Sequence, residues 1–246
     1  VVYYAVVANL ITFLAGLQSA LFSVMIPSTA VLHARGESRE LGDVIVTATR
    51  YSTFLLLLAG IPLFVAARMV LSLWVGPAYA VHGARILQVL IAANIIRLSA
   101  LPYVVGLIGA GQQRLVIVTP ILEGVFNLLA SVIAGYMFGA VGVALGTLFG
   151  SLIGIGGHLF YNMQRTSAIV FRISDYVRDG LLRPVICALP LIAYVVVLNL
   201  SNLSDGVPKY SCFAAVLITT GFLIWRWGLV GSERDKVRSW RLAPQA

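Results

Sequence analysis

Seven apolar stretches take up most of the chain, over roughly residues 1–26, 44–75, 84–109, 115–138, 141–161, 181–200 and 211–229. About 18 apolar residues suffice for a helix to cross a bilayer. Inside hydrocarbon every backbone N–H and C=O must find a partner within the protein, which restricts spanning segments to helices or closed barrels. Runs this long read as helices, so the expected fold is all-α: a polytopic transmembrane bundle of about seven helices. The charge content agrees, at 11% against roughly 25% in an ordinary soluble domain.

The positive charges set an expected orientation. Short cytoplasmic loops of polytopic proteins collect Lys and Arg. One set of alternate connections carries Arg35, Arg39, Arg114, Arg165, Arg172, Arg178, Arg183 and Arg226, with Arg50 at a helix end and Arg234, Lys236, Arg238 and Arg241 in the tail. The other set holds Arg68, Arg85 and Lys209. The bias, thirteen against three, predicts a cytoplasmic C-terminus. Trp74 and Tyr79 at one end, and Trp225 and Trp227 at the other, suit the headgroup level. Topology thus accounts for the net charge of +8, and no aromatic-basic platform for nucleic acid occurs.

Four segments follow. Residues 1–162 hold about five spans, and 163–180 form a connector that reads as an amphipathic helix on the inner leaflet or as a charged loop. Residues 181–230 hold two terminal spans, and 231–246 form a basic cytoplasmic tail. Val1 falls inside an apolar run without an initiator Met or signal features, and so reads as the interior of a longer chain.

Gly142, Gly146, Gly150 and Gly154 recur every four residues and line one helix face. In lipid, small residues allow the close backbone approach that replaces hydrophobic drive. The ladder predicts a tight seam, compatible with a hinge or sliding surface. Pro27, Pro62, Pro102, Pro120 and Pro190 predict kinks.

Two charges lie deep in apolar stretches, Arg97 in the third and Glu123 in the fourth. A charge at the bilayer centre costs roughly 2.5–3.5 kcal/mol, so each needs a partner or water. They could pair with each other, or Arg97 could line a polar cavity and meet an anionic substrate, since guanidinium binds phosphate bidentately. Glu123 is the candidate for a coupling cation, and Asn94 and Asn127 are polar neighbours on the same helices. His158 reads as a satisfied interfacial histidine. Asn199 and Asn202 head glycosylation-type triplets against the membrane surface. Cys187 and Cys212 sit in apolar runs without a C-x-x-C or a His partner. No Walker A loop, G-x-S-x-G or H-E-x-x-H occurs, and the outer loops offer little beyond His82 and Asp205. No catalytic residue, metal ligand or cofactor is assigned.

Several phrases occur in a telling order: Tyr3-Tyr4-Ala5; the run from Pro27 through His33-Ala34-Arg35-Gly36-Glu37; Leu73-Trp74-Val75-Gly76-Pro77-Ala78-Tyr79; Gly109 through Arg114; and Gly139-Ala140-Val141-Gly142 through Thr147. In this order the region from Tyr3 to Tyr161 resembles the C-terminal half of a polysaccharide or O-antigen flippase of the multidrug/oligosaccharidyl-lipid/polysaccharide exporter superfamily. The resemblance implies one lobe of a two-lobed exporter in a bacterial inner membrane. Such an exporter moves lipid-linked oligosaccharide by alternating access, with an amino-terminal lobe as partner and Arg97 facing the lipid diphosphate. A multidrug or peptidoglycan-precursor exporter of the same superfamily is the alternative, and an integral-membrane polymerase or ligase a more distant one.

Overall fold

The computed structural model describes the backbone of residues 2–201 and 207–229, and side chains for 2–198 and 211–229. Asn202, Asp205 and the basic tail at 231–246 therefore lie outside the described residues, as do the side chains of Asn199 and Lys209. The described chain is helical, without a strand. It forms two compact units, Val1–Leu181 and Leu182–Ala246.

In the first unit α1 (Val2–Ser23) and α2 (Met25–Ala34) form one long rod, followed by α3 (Ser38–Val65) and α4 (Ala67–Val75). α5 (Pro77–Ser99) and α6 (Leu101–Gly109) follow, and then the long α7 (Gln113–Gly157). α5 is the hub, packing against α1, α3, α4 and α7, while α6 packs against α2 and α3. Among the described residues five helices are long and apolar enough to cross a membrane, or six if a pair bent by 51° at Ala188 counts as one span. Large apolar side chains also cover the outside, with Tyr136 91%, Leu73 81% and Phe160 75% exposed. An apolar surface this extensive is untenable in water, and the architecture fits a membrane protein.

Three helix breaks fall where proline dictates, whereas Pro62 and Pro120 lie inside helices that continue through them. The interruptions at Val24, Ala100 and Ala188 lie two or three residues before Pro27, Pro102 and Pro190. There the ring clashes with the preceding turn and the missing N–H leaves a carbonyl without its helical donor. Gly76, at φ 100° and ψ 165°, makes the corner between α4 and Pro77, the first residue of α5. The third span accordingly begins at Pro77 rather than near residue 84. α7 folds back on itself at Gly139 (φ 60°, ψ −138°), so residues 113–138 and 140–157 are two antiparallel arms.

Two apolar clusters hold the unit together. One joins Val7 and Ile11 of α1 to Leu71 of α4 and Leu87, Leu90 and Ile91 of α5. The other, at the basic end, joins Leu41 and Ile45 of α3 to Tyr103 and Leu107 of α6 and to Ala168, Ile169 and Tyr176 of the connector. Of the two readings of the connector, an amphipathic helix on the leaflet or a charged loop, the structure shows a loop between short helical turns, packed on protein. Residues 166–172 are non-helical, Val170 N–H bonds the Ser38 carbonyl at 3.1 Å, and Ile169 and Tyr176 are buried in protein. Apolar residues that looked lipid-bound instead close the end of the bundle.

In the second unit, Arg183 Nε donates to the Trp227 carbonyl at 2.8 Å, and Tyr194 packs on Phe213 with ring centroids 5.6 Å apart.

The break at Ala100 is stabilised from outside its own helix. In an uninterrupted helix the Leu98 carbonyl would accept from residue 102, but that residue is Pro102. Besides the Ala100 N–H, the carbonyl meets the Gln18 amide at 3.5 Å and the Ser52 hydroxyl at 3.4 Å, and Gln18 also donates to Ser52 at 2.7 Å. All three residues are buried. Gln18→Leu should lower stability by about 1 kcal/mol or more. In a Pro102→Ala background, which restores an N–H to the helix, the same change should cost clearly less. Thermal unfolding of the four proteins in detergent measures the coupling, and purely additive effects would contradict it.

Candidate functional site

The glycine ladder finds its partner within α7. Gly142 faces the backbone at Ala134, Gly146 faces Ser131, and Gly150 faces Asn127 and the Glu123 carbonyl. Gly154 faces the Glu123 carboxylate, and Gly157 faces Thr119. The opposing arm thus presents Thr119, Glu123, Asn127 and Ser131, themselves spaced by four, so a polar ladder lies in a glycine groove. The Ser131 hydroxyl reaches the Val143 carbonyl on the other arm at 3.1 Å and lies 3.0 Å from Asn127 Oδ1. Asn127 therefore lies in the seam.

The ladder changes character along its length. At Gly142, Gly146 and Gly150 an added methyl would meet backbone atoms. At Gly154 it would meet only the end of a side chain, 2.6 Å from Glu123 Oε2. The first three glycines set the distance between the arms, and the fourth seats the carboxylate.

Glu123 opens onto a cavity of about 440 Å³, within the ~300–1,000 Å³ range of small-molecule sites. Thr12 and Ser19 of α1, Arg97 of α5, Leu101 of α6, Glu123 and Gly154 of α7, and His158 at the end of α7 are among the residues that wall it. The cavity thus gathers the two deep charges recognised in the sequence. They do not form an ion pair among the described residues: Arg97 Nη2 donates to Asn94 Oδ1 at 3.1 Å, and the guanidinium is exposed. Its charge still acts on Glu123 through space.

Asn94 is not a wall of this cavity. It donates to the Leu90 carbonyl at 3.0 Å, accepts from Arg97, and lines a neighbouring apolar cavity of about 170 Å³ between α1, α3 and α5. Its role is to hold the guanidinium. His158 sits in a π-helical turn, His158–Asn162, and is buried, with Nδ1 3.0 Å from Asn162 Nδ2.

Sequence reading overlooked Gln18, Thr12 and Ser19 of α1. Gln18 had one usable signal, an amide in an apolar run that needed a partner. Its match to the carbonyl freed by Pro102 depends on how α1 and α5 pack. The Thr119–Ser131 ladder could have been found by comparing its period with that of the glycines.

Comparison of the chain with known protein families, with curated proteins and with solved structures finds no match.

The seam makes a graded prediction. Gly146→Ala should lower stability by about 1–3 kcal/mol, the usual cost of overpacking. Gly154→Ala should cost less because the Glu123 side chain can swing aside. Unfolding in detergent reads both, and equal losses would refute the distinction.

Proposed function

We propose that the chain is part of a membrane transporter that moves lipid-linked oligosaccharide or a polysaccharide precursor across a bacterial inner membrane by alternating access. The carrying observation is the cavity in which Arg97, held by Asn94, stands exposed in the same walls as Glu123. An exposed guanidinium among apolar helices is costly unless it meets water or an anion, and a diphosphate suits its planar donors. The flippase resemblance of Tyr3–Tyr161 supplies the cargo class and the two-lobed plan. On that plan this chain is one lobe, and transport needs an amino-terminal lobe beside it.

Seven crossings follow if the two arms of α7 each span and the pair bent at Ala188 forms one span. The arrangement of Lys and Arg supports a cytoplasmic C-terminus. Glu123 favours one further reading, a cation-coupled exporter of the same superfamily, because a carboxylate beside a cavity can bind a cation or proton.

The test uses proteoliposomes containing the protein expressed from its full reading frame, with a fluorescent polyprenyl-diphosphate-linked sugar as probe. Arg97→Ala should slow flipping by about tenfold or more, because a hydrogen bond to a charged group contributes ~1.5–3 kcal/mol. Arg97→Lys should retain part of the rate, since it keeps the charge but not the fork. Wild-type flipping by Arg97→Ala would remove the substrate-contact reading.

A further inference from the structure

Beyond the cavity wall lies a run of buried polar atoms. Thr119 Oγ1, Asn162 Oδ1 and the Tyr103 hydroxyl have no hydrogen-bond partner in the protein, and the Tyr176 and Thr49 hydroxyls have only each other. Tyr103, Tyr176, Asn162 and Thr49 are each 0% exposed and Thr119 is 1% exposed. Each such atom left dry costs about 1–3 kcal/mol, and native proteins meet buried groups of this kind with ordered water.

These atoms are strung out between two places. Thr119 lies one helical turn from Glu123 and packs on Gly157, beside His158. The His158 ring is 5.9 Å from that of Tyr103, which is 6.2 Å from that of Tyr176. Tyr176 adjoins Thr49, and Thr49 touches Gly180 at the connector. The string thus runs from the cavity wall to the basic end of the unit. Asn162 fixes its middle. Its side-chain amide meets His158 Nδ1 at 3.0 Å, which leaves the other ring nitrogen, Nε2, to meet a water.

We propose that Thr119, His158, Asn162, Tyr103, Tyr176 and Thr49 hold a file of buried waters that passes a proton between Glu123 and the basic end of the unit. Glu123, once protonated from the cavity, releases its proton to the first water. Each hop then forms one O–H bond and breaks another, and the proton leaves as hydronium at the far end. Glu123 regains its negative charge, and no electron transfer is involved. The titratable and charged groups that face the file are Glu123 of α7, Arg97 of α5, Tyr103 of α6, Tyr176 of the connector, and His158 itself. Arg50, next to Thr49, is buried on α3.

The inference deepens the proposed transport function, resting on the carrier reading of the cavity but not on the identity of the cargo. Hydration is tested by X-ray hydroxyl-radical footprinting of the full protein in nanodiscs. Tyr103 and Tyr176 should be labelled although neither is exposed, because bound water generates the radical beside them; absence of label on both would overturn the proposal. Conduction is tested in proteoliposomes loaded with a pH-sensitive dye under an imposed pH gradient. Tyr103→Phe and Tyr176→Phe keep the ring packing, and Thr49→Val serves as a third variant. Proton entry should fall by about tenfold or more in each variant that unfolds at the wild-type temperature. Wild-type proton entry in the folded variants, or none in the wild type, would overturn the relay. Proton entry without movement of the labelled sugar-lipid would instead count against the cargo and leave the relay standing.

Discussion

The backbone carbonyl of Leu98 shows the constraint on which the arrangement depends. In hydrocarbon an unpaired backbone group has no water to turn to, so a proline within a span is tolerable only where a neighbouring helix supplies a donor. Gln18 and Ser52 do this from α1 and α3. The bond that repairs the helix therefore also fixes the relative positions of three helices. The same device recurs at the end of α3, where Gln88 of α5 donates to the Phe64 carbonyl at 3.2 Å. Polar side chains here act less as sites than as couplings between interrupted helices, and two of them converge on α5. The break at Ala100 lies just beyond Arg97, so the repair also sets the depth of the guanidinium beside the cavity.

The α7 hairpin solves a second problem, that of attracting two helices in a solvent as apolar as their side chains. Glycines remove the side-chain layer on one arm, so contact becomes backbone against backbone. The opposing arm fills the groove with small polar groups, and the Ser131–Val143 bond crosses the gap. The seam is thus held by dispersion and hydrogen bonding rather than by hydrophobic burial. Because the groove continues to Gly154, it ends with a carboxylate in its last notch. Packing and site are one continuous surface.

The span-length helices, the breaks near Pro27, Pro102 and Pro190, and the seam face were legible in the sequence because each depends on local rules. Length, proline chemistry and four-residue spacing operate within a single stretch. Arg97 and Glu123 could be singled out as deep charges for the same reason. Their relation was not legible: spacing along antiparallel helices left a direct pair open, and Asn94, one turn before Arg97, captures the guanidinium instead. The connector stayed open between helix and loop for the opposite reason. Its alternation of apolar and charged residues is the same whether the apolar face meets lipid or protein, and only the hydrophobic pocket formed by α3 and α6 decides between them.

The buried hydroxyls at the basic end are the counterpart of this economy. Elsewhere in the first unit a polar group between helices is matched with a partner, as at Gln18, Gln88 and Ser131. Along the line from Thr119 to Thr49 the fold places tyrosines and threonines, with the Thr119 and Tyr103 oxygens unmatched by protein and those of Tyr176 and Thr49 matched only to each other. Aromatic packing of Tyr103 against His158, Phe171 and Tyr176 needs only the rings. The hydroxyls add a desolvation cost without adding to that packing, unless water completes them. A file of water explains why the cost falls along one line, and why the line begins one turn from the carboxylate seated on Gly154.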